Sequence, residues 1–253
     1  MHHTGYIFGL SQFGIGGVEV VATIPRSGQV RPWLDLTHGG WHRRAAMIIS
    51  HRHRFIFVAV PKTGTHSVRQ ALREQMGEQD IEQVRLFVEK KFPIPELAAI
   101  RHGHLTLQQV RPFLPPEDFD AYFKFGFVRN PFDRFISYCA FMTRDSDLFE
   151  RDPRGVMNQL LFTAPPTGHI LFQPQHIFYT DEDGSLLSDQ VGRIEEMQAS
   201  YDAICRRIGI VPRPLDKVNA SSRGDYRSYY DQRLIDGVAA RYARDLELFG
   251  YDF

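Results

Sequence analysis

The sequence predicts an α/β domain with a largely parallel central sheet flanked by helices. Three observations predict it. A continuous apolar run at residues 55–60 passes through a tight Pro-Lys-Thr-Gly-Thr turn into a helical spacing. The same order recurs at residues 122–128, where a second apolar run meets Asn130-Pro131. Two further stripes of apolar residues at helical spacing follow toward the C-terminus, and strands alternating with helices favour parallel pairing.

The first run, Phe-Ile-Phe-Val-Ala-Val, is rich in aromatic and β-branched residues and ends at Pro61, as suits a strand buried on both faces. After Gly64, Val68, Ala71, Leu72 and Met76 fall on one helical face, with Arg69, Arg73 and Glu74 elsewhere. At the second junction Asn130 is a favoured N-cap and Pro131 a favoured first helical residue. Phe132, Phe135, Ile136, Cys139 and Met142 form the apolar stripe of that helix. Helices are expected over 191–208 and 234–249, with irregular connection from 143 to 185. Residues 1–46 differ: they are Gly-rich, hold both tryptophans (Trp33 and Trp41) and offer one strand-like run at 18–24. They are expected to be a peripheral extension of a main domain at 47–253.

Thirty basic residues balance thirty acidic ones in 253, so bulk charge points to neither a nucleic-acid nor a membrane partner. Affinity for anions must come from local arrangement. Two cysteines, Cys139 and Cys205, are too few for a disulfide scaffold or a Cys-based zinc site. No run of about 18 apolar residues exists, so no integral membrane segment is expected. The opening residues lack the pattern of a signal peptide, and the expected location is cytoplasmic.

Two segments carry chemistry. Pro61-Lys62-Thr63-Gly64-Thr65-His66-Ser67 lies at a strand-to-helix junction, where unpaired N–H groups and the helix dipole favour an anion. Gly64 allows close backbone approach, Thr65 and Ser67 add hydroxyls, and Lys62 adds charge. The nucleotide loop GxxxxGK is absent, because here the Lys precedes the Gly. The second segment is Phe127-Val128-Arg129-Asn130-Pro131-Phe132-Asp133-Arg134-Phe135-Ile136-Ser137. Arg129 leaves a strand at the carboxyl edge of the sheet, where ligands of such sheets collect, and Ser137 lies nearly two turns on. Together they can grip a phosphate; alternatively, Arg129 pairs with Asp133.

The two segments together resemble the sulfotransferase superfamily, and more closely its carbohydrate branch, which includes the heparan 2-O- and chondroitin 4-O-sulfotransferases. Three more segments resemble that branch: Arg101-His102-Gly103-His104, Val191-Gly192-Arg193-Ile194-Glu195-Glu196-Met197, and Asn219-Ala220-Ser221-Ser222-Arg223-Gly224-Asp225-Tyr226. His66 stands where the family usually has Thr or Ser. The resemblance implies a P-loop-like sulfotransferase fold over 47–253 and the donor 3′-phosphoadenosine 5′-phosphosulfate, with adenosine 3′,5′-bisphosphate as product. It implies donor contacts from Lys62, Thr63, Gly64, Thr65, His66 and Ser67 to the 5′-phosphosulfate. Arg129 and Ser137 would hold the 3′-phosphate, joined by Arg223 with Ser221 or Ser222. The acceptor would be a glycan or other hydroxyl-bearing molecule.

Sulfuryl transfer needs a cation at the leaving phosphate and a base for the acceptor proton. Lys62 is the candidate cation. Of the candidate bases, His104 is favoured over His102, with Gly103 freeing the backbone between them; an imidazole suits the task. No histidine cluster has metal-ligand spacing, so no metal is expected. Arg193 and Glu195 are read as pairing with each other or capping a helix. The competing readings are a nucleotide phosphotransferase and a non-catalytic module for a sulfated or phosphorylated ligand.

Overall fold

The run at 55–60 supplies the central strand of a five-stranded sheet among the described residues. The computed structural model describes residues 47–82, 94–100, 102–215 and 224–253. The expected extension at 1–46, its strand-like run at 18–24, and Arg101, Ser221, Ser222 and Arg223 lie outside them. Strand β1 (Ile48–Ser50) turns back into β2 (Phe55–Val58) and pairs with it antiparallel. The four-residue turn at 51–54 is far too short for a parallel crossover, so chain length alone sets this pairing. Helix α1 (His66–Arg73) follows β2, and β3 (Ile81–Glu82) returns to pair antiparallel with β1.

Short helices α2 (Pro95–Ala98), α3 (Leu107–Val110) and α4 (Pro116–Ala121) lead into β4 (Phe123–Val128), which runs parallel to β2. Helix α5 (Pro131–Met142) leaves its end. The α6 (Leu148–Arg151) and α7 (Pro153–Asn158) helices and several single turns fill the segment read as irregular. Then β5 (Gln190–Arg193) adds parallel to β4, followed by α8 (Met197–Ile208), α9 (Gln232–Arg241) and α10 (Ala243–Phe249). The sheet is therefore mixed rather than parallel throughout. The strand order is β3-β1-β2-β4-β5, and three of the five strands, β2, β4 and β5, are parallel and end at one edge.

Strand β2 is buried on both faces, as its continuous apolar run requires. Ile56, Val58 and Val60 pack into one cluster with Val128, Phe178 and Tyr179. The alternating Phe55, Phe57 and Ala59 pack into another with Phe125, Phe127, Tyr201 and Ile204. A third cluster joins α5 to α7 and α9 through Phe135, Tyr138, Met157, Leu234 and Val238. Gly126 lets β4 fit between its neighbours. A Cβ there would lie 2.7 Å from the Val58 carbonyl oxygen and collide with the Tyr179 hydroxyl. Gly126→Ala should therefore cost about 1–3 kcal/mol of unfolding free energy, an overpacking penalty readable by denaturant titration. An unchanged midpoint would contradict this packing.

Two expectations about helices need correcting. Residues 190–193 are strand, and helix begins only at Met197. Val191 and Ile194 match a helical spacing by coincidence, while Gly192 packs flat against the Phe127 ring, where a side chain would lie 2.8 Å from it. The expected helix at 234–249 is two, broken at Tyr242, which leaves helical geometry (φ −116°, ψ 26°) and donates its hydroxyl to the Phe172 carbonyl.

Candidate active site

The site is built at the carboxyl edge of β2 and β4. Chain leaving β2 turns through Pro61–Ser67, and the turn uses two left-handed residues, Lys62 (φ 67°) and Gly64 (φ 62°). Glycine takes this conformation without penalty; lysine pays about 1–2 kcal/mol for it. Left-handed residues alternating with ordinary ones curl successive N–H groups toward a common point, an anion-binding concavity. Thr63 is wholly buried and its hydroxyl donates to the Val60 carbonyl (2.9 Å), so that side chain tightens the turn. Thr65 stands at the N-cap of α1, where its carbonyl accepts from Arg69 N–H (2.9 Å). Ser67 meets the Met197 sulfur at 3.8 Å, and the same Met197 methyl lies under Gly64, so α8 backs the loop. His66 opens α1 and accepts from Arg69 Nη2 (3.1 Å).

Helix α5 supplies the opposite wall. Its start is fixed as the sequence suggests: the Asn130 side chain accepts from Phe132 N–H (3.0 Å) and Pro131 begins the helix. Asp133, Ser137 and Phe141 recur every four residues and so share one face. At one end of this stripe Arg129 forms a forked pair with Asp133 (2.8 and 2.5 Å). At the other, the Lys62 ammonium rests 4.3 Å from the centre of the Phe141 ring. Lys62 and Arg129 therefore meet opposite ends of one side of α5. Arg129 takes the carboxylate partner that the sequence offered as its alternative to phosphate.

The histidine pair arrives from the segment before α3. His104 Nδ1 donates to the Ala59 carbonyl (2.7 Å), three residues before Lys62. Because a carbonyl only accepts, this bond places the ring proton on Nδ1 and leaves Nε2 with its lone pair. Burial pushes the His104 pKa down to about 3; the Ala59 carbonyl acts the other way, and His102, Arg134 and Arg69 add to the fall. The ring is thus neutral at physiological pH. His102 lies 6.4 Å away, centre to centre, and burial lowers its pKa as well. His51 and His53 are at the β1–β2 turn, bonded to the Tyr122 hydroxyl and to the Gln75 carbonyl.

Several contributors could not be read locally. Gln175 is fully buried and clamps Arg129 at both backbone atoms, its Oε1 accepting from N–H (2.9 Å) and its Nε2 donating to the carbonyl (2.8 Å). Gln175 is held in turn by Asp245, a wholly buried carboxylate that accepts from the N–H groups of Gln175 and His176 and from the His176 ring. Glu195 accepts from Asn130 N–H (2.8 Å) and from the Tyr251 hydroxyl (2.8 Å). Arg193 donates to the Phe249 and Gly250 carbonyls at the end of α10. Arg193 and Glu195 thus serve two different helix ends rather than each other. His169 meets the Tyr138 hydroxyl on α5 at 3.1 Å, and its pKa is lowered by burial and by nearby His102.

A turn with two left-handed residues, the Lys62 ammonium and a neutral imidazole bonded to the Ala59 carbonyl lie near the end of β2, and they are the kinds of group that transfer from an anionic donor requires. The comparison with known families narrows this class. Residues 45–144 match the model of the Sulfotransferase family. The match runs from β1 to the end of α5 and contains the Lys62 loop, the His102–His104 segment and Arg129–Ser137; it spans less than half of the 253-residue chain. It supports the sulfotransferase superfamily and sulfuryl transfer in general. No curated protein and no solved structure matches the chain. No helix among the described residues is long and apolar enough to cross a membrane.

Proposed function

We propose that the protein is an O-sulfotransferase that moves the sulfuryl group of 3′-phosphoadenosine 5′-phosphosulfate to a hydroxyl of a carbohydrate-class acceptor. The observation that carries this reading is the shared face of α5, with Lys62 at the Phe141 end and Arg129 at the Asp133 end. Such spacing suits a donor bearing anions at both ends. In the reaction the acceptor oxygen bonds to sulfur as the bond from sulfur to the bridging phosphate oxygen breaks. His104 Nε2 takes the hydroxyl proton, and Lys62 moves off Phe141 to meet the negative charge growing on the leaving phosphate. Leaving the ring costs about 0.5–1 kcal/mol, small beside the charge interaction gained. Arg129 and Ser137 hold the 3′-phosphate, which competes with Asp133 for the guanidinium; Arg223 with Ser221 or Ser222, outside the described residues, is assigned to the same phosphate from the sequence.

A base held near pKa 3 is a poor proton acceptor, since transfer is most efficient when the pKa lies near the working pH. Burial, the main cause of that depression, remains when the donor binds; the donor's negative charges oppose the smaller contribution of Arg134 and Arg69 and so move the His104 pKa upward. The test is to supply radiolabelled phosphosulfate donor with a panel of oligosaccharides, glycolipid precursors and small alcohols. Labelled acceptor together with adenosine 3′,5′-bisphosphate is the expected result. Donor binding without transfer to any acceptor would replace the enzyme reading with that of a binding module.

A further inference from the structure

Arg134 is the most deeply buried cation beside this site, 2% exposed on α5. Its Nε donates to the Pro61 carbonyl (3.0 Å) and its Nη2 to the Leu171 carbonyl (3.1 Å). Among the described residues it has no carboxylate as an ion-pair partner. The acid it feels, Asp245, is already engaged by Gln175 and His176. The Tyr242 ring lies 5.9 Å from the guanidinium. A charge taken out of water with only carbonyl dipoles around it is several kcal/mol more costly than one with a counter-ion. Burial accordingly lowers its pKa, against the opposing pull of Tyr242 and Asp245.

The two carbonyls it holds belong to functional segments. Pro61 immediately precedes Lys62 in its left-handed conformation. Leu171 lies two residues from His169, and Tyr138, the partner of His169, is one helical turn from Arg134 on the same face. We propose that Arg134 is a positioning residue for the donor site, fastening the start of the Lys62 loop to the 169–172 segment and finding its counter-ion in the bound donor. The inference deepens the sulfotransferase reading and rests on it.

The experiment compares wild type with Arg134→Lys and Arg134→Met, each checked for folding by circular dichroism. Two quantities are read: affinity for adenosine 3′,5′-bisphosphate over a range of salt, and the pH profile of turnover. Arg134→Met should bind the bisphosphate about tenfold or more weakly, with a shallower salt dependence. Its acidic limb should move to higher pH, because a cation facing His104 is gone while His102, Arg69 and the Ala59 carbonyl remain. Arg134→Lys should recover the affinity and the pH limb but keep a kcat on the order of tenfold low, since one ammonium cannot hold both carbonyls. If the Met variant does not fold, the Lys variant decides: wild-type kcat there overturns the role of the fork. Wild-type affinity and pH profile in both variants overturn the proposal alone. A wild-type protein that fails to bind the bisphosphate overturns the donor reading and this proposal with it.

Discussion

Lys62→Ala should slow sulfuryl transfer by on the order of 10²–10³-fold, about 3–4 kcal/mol of barrier, the loss typical of removing one donor from a developing oxyanion. The backbone of Lys62 complicates the simple variant, because its φ of 67° is strained for alanine as it is for lysine. Lys62→Gly separates the two effects. It removes the same ammonium and should lose transfer equally, yet be more stable than the alanine variant by about 1 kcal/mol. Steady-state kinetics and thermal denaturation of both proteins provide the check. Near wild-type turnover in either would remove Lys62 from the chemistry.

His104→Ala should cut kcat by about 10²–10⁴-fold while affinity for adenosine 3′,5′-bisphosphate survives. His104→Asn is the control for a structural role: its amide can still donate to the Ala59 carbonyl but offers no imidazole lone pair. Loss in both variants assigns the base; rescue by Asn reduces His104 to a strut, and loss in His102→Ala instead moves the role to His102. The pH dependence is a second check. An ordinary histidine near 6.5 would extinguish kcat/KM as pH falls through that value, whereas His104, held at about 3 in the free protein, should keep it flat there. In the donor complex the added negative charge raises the pKa, so the acidic limb of kcat should lie above that of kcat/KM. Stability follows from the same shift. The folded pKa is depressed, so the unfolded chain takes up the proton first; stability is intact above 6.5 and falls as pH drops from there toward 3.

What could be read from the sequence was what neighbours along the chain determine. The buried character of β2, the cap formed by Asn130 and Pro131, and the Lys62 turn are local and follow from residue type and spacing. The Arg129–Asp133 pair is also local, four residues apart on a helix, and the sequence offered it as one of two fates for Arg129. The direction of β1 depends on a four-residue turn at 51–54 that no apolar run marks, so a largely parallel sheet was expected where a mixed one formed. The strand at Gln190–Arg193 was hidden because valine and isoleucine three positions apart fit a helix as well as a strand.

The supports of the site were hidden for a different reason. Gln175 and Asp245 reach Arg129 and the 175–176 backbone across 46 and 70 residues, and nothing in the residues around them marks those meetings. Arg134 did leave a trace. It lies one helical turn before Tyr138 on a side of the helix that is buried, so its charge had to be inside the fold. Reading that face together with the apolar stripe would have picked it out as the charged residue most in need of a partner.

On the proposed function, the Lys62 loop and the Arg129–Ser137 helix bind one nucleotide carrying phosphates at both its 5′ and 3′ positions. Calorimetric titration of the wild-type protein with adenosine 3′,5′-bisphosphate, adenosine 5′-monophosphate and ATP–Mg²⁺ tests it most directly. Tight binding of the bisphosphate is expected, with at least tenfold weaker binding of the monophosphate, about 1.4 kcal/mol for the missing 3′-phosphate. Tight binding of ATP–Mg²⁺ with no binding of the bisphosphate would contradict it.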